Sequence, residues 1–533
     1  MTTLAPFVTR YAPNGMVCSV DHLASNAGVS VMRIGGSAVD GAIATSAVLA
    51  VTTQHMCGMG GDLFALVHTG GTDAPAVLNS SGRAGSGADA DRVRSEGLDR
   101  IPRTGHIAAV PVPGCVDGWL ALHERFGRLP LRDVLAPAHA LAVDGFTVSP
   151  TLAGSARRLF DLTVPGAGDY IDGRTALRAG DRVVRPGVAR ALAAIVQHGR
   201  DGFYGGEFGE GLIEAGGGEF VPADLETPLA DWVDGLAVEV WHRRIWTVPP
   251  NSQGYLTLAG SWIAERLPLP DAADDPAWPH LLVEAARQAG FDRQDVLHEH
   301  ADGRALIAPD RLTPRLDAID PERAATLGGS FDGGGTIYLC AADARDGMAV
   351  SLIQSNYSGF GSMIIEPRTR IFLQNRGAGF NLVPGHPAEY GPGRRPPHTL
   401  APALVTKLDG TFDAVLGTMG GDSQPQVVLQ LLARIYGPGV AEEPGDAIAA
   451  PRFVLTGSQP GYDVWDDGGR VTVSLDAHAP RAWADGLAAR GHRVDRLRPW
   501  SSDAGHAHLI TGVEGGVAGA ADPRSHGGAA AGF

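Results

Sequence analysis

At 533 residues the chain exceeds the size of an ordinary single core, which implies two domains or one large, closely packed assembly. Hydrophobic residues at 44% with a low, mixed charge describe a soluble globular protein, and the 73 Gly and 37 Pro follow no period, which excludes collagen and points to many tight turns. A formal net charge of -16 argues against nucleic acid as a partner, because phosphates reward basic surfaces.

Cys18, Cys57, Cys115 and Cys340 show no metal-ligand spacing and read as buried thiols of a reducing compartment. Residues 1–20 lack a charged segment followed by an apolar one, and the longest apolar stretch, residues 42–51, is too short to span a bilayer. The expectation is a cytoplasmic protein with no membrane partner.

In chain order, Gly35-Gly36-Ser37-Ala38-Val39-Asp40 leads into residues 42–51, which are small and apolar nearly all round and predict a buried helix. Gly58-Met59-Gly60-Gly61-Asp62 comes next, followed by a strand over residues 63–68. These glycines precede a strand instead of following one and opening a helix, so a dinucleotide cradle fails on context and structural punctuation is expected. A second strand over 76–79 ends in Ser80-Ser81-Gly82-Arg83. Arg83 is placed to grip a carboxylate with its planar fork, with a surface ion pair as the commoner alternative. Helices and turns alternate to about residue 225, Pro249–Gly254 makes a rigid turn, and residues 280–290 have helix spacing with a Gly stop. Residues 301–332 are polar, with prolines at 309, 314 and 321, and read as an accessible surface segment.

That segment ends in Asp332-Gly333-Gly334-Gly335-Thr336, where the threonine opens an apolar run over 337–342. Asp346-Gly347 separates this run from a second one over 348–355, a hairpin signal that puts Thr336 at the first position of a strand. A threonine hydroxyl is a weak nucleophile until the peptide bond before it is cut. The freed α-amine, with a reference pKa of roughly 7.7–8.0, then serves as its base. Taken alone, a flexible Gly loop feeding a strand is the commoner reading. Ser355 lies in the polar run 354–361, which is placed to fold beside Thr336. Further on, a strand over 414–417 ends in Thr418-Met419-Gly420-Gly421-Asp422 before a helix-like run, 427–432. A strand–Gly-Gly–helix transition leaves N–H groups free for a developing negative charge, with an ordinary helix start as the alternative. His298-Glu299-His300 and His506-Ala507-His508 lack a third ligand at a usable spacing, so neither a metal site nor a cofactor is expected.

The ordered set of motifs resembles the γ-glutamyltransferase family of N-terminal-nucleophile hydrolases over nearly the whole chain. It comprises Gly35–Asp40, Gly58–Asp62, Val112–Gly118, Arg128–Leu131, Pro249–Gly254, Gly335-Thr336, Gly420-Gly421, Trp500-Ser501-Ser502 and Asp522-Pro523-Arg524. The resemblance implies an αββα four-layer sandwich, made as a precursor that cuts itself between Gly335 and Thr336. Its fragments, 1–335 and 336–533, would both build one core as a heterodimer, with further oligomerisation left open. Thr336 would be the nucleophile, Gly420 and Gly421 the oxyanion donors, and Ser355 the second hydroxyl, usually a threonine.

The departures from the family pattern are informative. Gly379 stands where members acting on γ-glutamyl groups carry an acid for the substrate amine, His398-Thr399 replaces a pair of serines, and Tyr357 replaces an asparagine. Arg83, Tyr357, Arg376, His398 and Thr399 are therefore the expected substrate-binding residues. The substrate expected is a small-molecule amide with a carboxylate-bearing acyl group, and the acceptor is water or an amine. That places the chain nearer the amidohydrolase and acylase branches. Alternatives are a true γ-glutamyl hydrolase or transpeptidase acting on glutathione-like amides, a biosynthetic relative cutting a C–C bond in an alkylproline antibiotic precursor, and an unprocessed non-catalytic member. A nucleotide-binding α/β enzyme is disfavoured for want of a Walker lysine.

Overall fold

The computed structural model describes residues 9–172, 175–325, 335–439, 441–457 and 471–533. Its frame is a pair of seven-stranded sheets, antiparallel throughout. The first runs, edge to edge, Ala529–Gly532, Gly15–Ser19, Gly335–Asp343, Met348–Tyr357, Asp62–Thr69, Ala76–Ser80 and Asp231–Val233. The second runs Arg10–Ala12, Gly516–Ala521, Ala507–Val513, Phe412–Thr418, Ala403–Lys407, Arg243–Thr247 and Leu236–Val240. The inner faces meet through Met16, Cys18, Phe64, Tyr338, Leu404, Val415 and Ile510. Helices His22–Arg33 and Ala38–Thr52 pack on the outer face of the first sheet, and Tyr255–Arg266, Ala277–Gly290 and Gln424–Tyr436 cover the second. The result is the expected αββα sandwich.

Local chemistry explains the central pieces. Every residue of the helix Ala38–Thr52 is buried, as its uniformly small and apolar sequence demands, and a reciprocal Ser37–Asp40 capping box starts it. The strands Gly335–Asp343 and Met348–Tyr357 form the hairpin announced by Asp346-Gly347, with Asp343 opposite Met348. Gly15–Ser19 pairs with the other edge of Gly335–Asp343, so that strand is flanked on both sides and buried on both faces. All four cysteines are buried free thiols. Among the described residues, no helix is long and apolar enough to cross a membrane.

The described part of the polar surface segment, 301–325, is mostly exposed or half-buried and contains two short helices. These are Gly303–Leu306 and Pro309–Asp317, in which Leu306 and Leu312 are buried. Pro309 starts the second helix, where its missing N–H costs nothing, and Arg311 and Arg315 both reach Asp292, at 2.9 and 2.5 Å. One apolar face suffices to dock a helix whose composition is mostly polar. Residues 326–332, the remainder of that segment, lie outside the described residues.

Candidate active site

Thr336 lies near the start of a central strand, at a slip in register: Gly335 faces Tyr357, while Ile337 faces Gln354. Such a bulge re-aims a side chain without breaking the sheet. The Thr336 side chain is fully buried, its Oγ1 lies 3.2 Å from Ser355 Oγ, and Gln424 Nε2–H donates to it at 3.3 Å. Gln424 is held in that orientation because its Oε1 accepts the Ala401 N–H at 3.0 Å. Ser355 Oγ in turn accepts the Tyr357 N–H at 2.7 Å. The hydroxyl of Thr336 therefore receives one donor from Gln424 and can direct its own proton towards Ser355.

Gln424 opens the helix Gln424–Tyr436, and the turn just before it contains Gly420 and Gly421. Their φ angles of +136° and +56° suit glycine, and a Cβ on Gly420 would stand 2.3 Å from Ser423 Oγ. Among the described residues, neither glycine N–H meets an acceptor. Ser423 Oγ–H donates to the Gly420 carbonyl at 2.8 Å, which fixes the peptide plane carrying the Gly421 N–H. Thr418 Oγ1–H donates to the Met419 carbonyl at 2.8 Å, in the plane carrying the Gly420 N–H, and Gln253 Nε2–H holds the Gly421 carbonyl at 2.9 Å. Two glycine amides at a helix start, one short turn from a residue that touches Thr336 Oγ1, can stabilise an oxyanion on a carbonyl attacked by that hydroxyl.

Tyr357 also lines a cavity of about 270 Å³, together with Arg293, Arg376, Phe380, Leu382 and Thr399 among others; Thr336, Gly420 and Gly421 are not among the lining residues. Arg376 begins a short helical turn, Arg376–Gly379, and is almost fully buried. Its guanidinium carbon lies 3.7 Å from the Tyr357 ring centroid, and Nη2–H donates to Thr399 Oγ1 at 3.1 Å. Nε has no hydrogen-bond partner among the described residues, and burial lowers the pKa of the group to about 10. A buried guanidinium held by a ring face and a hydroxyl is a receptor for an anion.

Two of the five expected substrate-binding residues are used differently. Arg83 does not line the cavity; its Nη1 donates to Glu299 at 3.2 Å and to the Gly393 carbonyl at 2.9 Å, so its fork is taken up by a loop contact. His398 is fully buried, with Nε2 3.0 Å from Asp62 Oδ2 and Nδ1 accepting the Leu400 N–H at 3.3 Å. Burial, then the nearby Arg376, lowers its pKa to about 3 against the pull of Asp62, so it is a neutral strut and offers no positive charge. Asp62 is the hub it supports: the other carboxylate oxygen accepts from Gly82 N and Gln374 Nε2 at 2.8 Å each and from Gly114 N at 3.3 Å. Tyr357, Arg376 and Thr399 do come together.

Gln424, Gln253, Arg293 and Asp422 escaped the sequence reading. Gln253 falls in the Pro249–Gly254 turn, Asp422 directly follows the Gly-Gly pair and Gln424 stands three residues after it, whereas nothing local marks Arg293. Of the histidine groups, His300 is exposed, while His506 and His508 are buried, with pKa values lowered to about 4 and about 3 by burial. Among the described residues, one group is compact enough to surround a cation: His280, Glu284 and His492. Its atoms already serve one another and the chain, since His280 Nδ1 meets His492 Nε2 at 2.7 Å, His280 Nε2 meets the Asp320 carbonyl at 2.9 Å, and Glu284 pairs with Arg287 at 2.8 Å.

With this geometry in place, comparison with known proteins is direct. A sequence model of the gamma-glutamyltranspeptidase family matches residues 24–532. An oxamate amidohydrolase proenzyme of Klebsiella pneumoniae is 35% identical, over 98% of this chain and 99% of its own length. A glutathione hydrolase-like proenzyme of Bacillus subtilis is 33% identical, over 96% and 98%. The crystal structure of a cephalosporin acylase from Bacillus halodurans superposes with a TM-score of 0.90 at 31% identity, covering 100% of this chain and 98% of that one.

Proposed function

The chain belongs to the gamma-glutamyltranspeptidase family, and from that premise we propose that it is a self-processing threonine amidohydrolase for small acyl groups bearing a carboxylate. Amide hydrolysis of the N-terminal-nucleophile type is the activity of the family; the nucleophile, the processing and the acyl specificity are what we propose for this chain.

In the first step Thr336 Oγ1 attacks the Gly335 carbonyl. The acyl group moves from nitrogen to oxygen, and water cleaves the resulting ester, leaving fragments 1–335 and 336–533. In turnover the new α-amine takes the hydroxyl proton as Oγ1 adds to the substrate carbonyl. The Gly420 and Gly421 amides carry the oxyanion, the leaving amine departs with a proton, and water or a second amine releases the acyl group from Thr336.

The observation that carries the substrate class is Arg376: a buried guanidinium with a vacant Nε–H, facing the cavity through a ring and a hydroxyl. A carboxylate on the acyl group supplies the missing acceptor, and the apolar wall of Phe380 and Leu382 suits its methylene chain. Of the three relatives named above, the oxamate amidohydrolase fits this class, oxamate being itself the monoamide of a dicarboxylic acid, whereas the glutathione hydrolase-like protein favours the γ-glutamyl alternative. A γ-glutamyl group would also need an acid for its amine. The one carboxylate among the described residues of the cavity wall, Asp99, is 94% exposed at the rim.

The test has two parts. Intact-mass analysis of the purified chain should give fragments 1–335 and 336–533, and Thr336→Ala should remain uncut. The processed protein should then turn over glutaryl p-nitroanilide well above γ-glutamyl p-nitroanilide; equal or better γ-glutamyl turnover would sink the acyl specificity, and an uncut active chain would sink the processing.

A further inference from the structure

The turn that carries Gly420 and Gly421 is tied to the cavity by two routes. Arg293, at the start of the helix Arg293–Val296, lines the cavity and donates from Nη1 to Asp422 Oδ1 at 2.9 Å; both side chains are almost fully buried. Asp422 directly follows Gly421. The second route runs from Arg376 Nη2 to Thr399 Oγ1 at 3.1 Å, and then from the Thr399 carbonyl to Gln253 Nε2 at 2.8 Å. The same Gln253 nitrogen donates to the Gly421 carbonyl at 2.9 Å. Arg293 is thus one hydrogen bond, and Arg376 three, from the residues that follow or form the Gly420-Gly421 turn.

We infer that Arg293, Asp422 and Gln253 are positioning residues that couple the acyl cavity to the oxyanion turn. They do not touch the reacting carbonyl. A carboxylate seated between Arg376 and Arg293 tightens both routes and so sets the Gly420 and Gly421 amides. Part of the energy of binding the distal carboxylate is thereby realised in the transition state, as a higher kcat in addition to a lower KM. Arg293 and Gln253 precede Gly335 whereas Asp422, Gly421 and Thr399 follow it, so on the proposed processing both routes cross between the two fragments and keep the turn in register after the cut.

This inference rests on the acyl-Thr336 reading, and the experiment separates the two. Processed wild type, Asp422→Asn, Arg293→Lys and the double variant are compared on glutaryl and butyryl p-nitroanilide, which differ by the distal carboxylate. Acetylation of the 336–533 fragment by p-nitrophenyl acetate is followed by mass in parallel. The wild type should show a higher kcat for the glutaryl compound. In Asp422→Asn that kcat should fall by about a hundredfold, the size of effect produced by small misplacement of a catalytic group, with KM changed less than threefold. The double variant should be no worse than the poorer single one, because the pair acts as a unit. Arg293→Lys keeps the charge without the fork and provides the same measurement should Asp422→Asn fail to process. An unchanged kcat, or losses that appear in KM and add between the singles, overturns the coupling. A wild type that gains no acetyl group on the fragment overturns the acyl-Thr336 reading, and the coupling with it.

Discussion

The groups that touch the Thr336 hydroxyl, Ser355 and Gln424, are neutral, and they stand towards the end of a strand of the first sheet and at the start of a helix that covers the second. The cavity behind Tyr357 is built around a buried cation, Arg376, on a short helical turn between loops. The first region is suited to any carbonyl, because hydroxyl, amide and backbone N–H donors recognise only the developing oxyanion. The second is suited to one kind of acyl group, because a desolvated guanidinium strongly favours an anion. On the proposed reading, chemistry and selectivity thus occupy separate structural elements.

The separation can be broken at either side. Gly420→Ala places a methyl group 2.3 Å from Ser423 Oγ at a φ of +136°, and should lower kcat about 10²–10³-fold on every amide tried, charged or neutral. An effect confined to carboxylate-bearing substrates would show that the two regions are not distinct. Arg376→Gln should do the reverse: about a hundredfold loss in kcat/KM for glutaryl p-nitroanilide, and a change of less than threefold for the butyryl compound, as steady-state kinetics would reveal. A uniform loss on both would assign Arg376 to the frame.

A smaller effect, in stability, concerns the frame that both regions share. His55, His398, His492 and His508 have pKa values lowered to about 3, and His506 to about 4, in each case chiefly by burial. Unfolding returns them to their ordinary value of 6.5, so below it the unfolded chain binds more protons than the folded one. Stability is present in full above pH 6.5 and is lost as the pH falls towards 3–4. Calorimetry should find Tm falling steadily over that window, and replacing His506 by Gln should flatten the slope; a Tm flat from pH 7 to 4 would rule out neutral burial.

Which parts were legible in the sequence follows from how local each signal is. The buried helix after Ser37, the hairpin at Asp346-Gly347 and the strand–Gly-Gly–helix unit at Gly420 each depend on neighbours a few residues away, and the structure contains all three. The partners of Thr336 were only half visible. Ser355 lies in the same hairpin, but Gln424 donates across 88 residues of chain. The ties of the oxyanion turn span 129 residues from Arg293 and 168 from Gln253; Gln253 falls in the Pro249–Gly254 motif, but nothing local says which turn it meets.

The arginines make the limit plain. Arg83 and Arg376 are both expected from the sequence to bind substrate, Arg83 with a surface ion pair as the commoner alternative. Folding gave Arg83 an acid, Glu299, on a distant loop, and left Arg376 a ring face and a hydroxyl. His398 was likewise read as a donor for substrate until Asp62, 336 residues away, took its proton-bearing nitrogen. By itself the sequence determined the buried helix, the hairpin and the place of Thr336 at its start, because hydrophobic period and glycine placement act over one element, while the four layers were implied by the family resemblance. Only the tertiary structure decided which buried charge stays uncompensated, because a charge is satisfied by whatever the fold brings within about 4 Å of it.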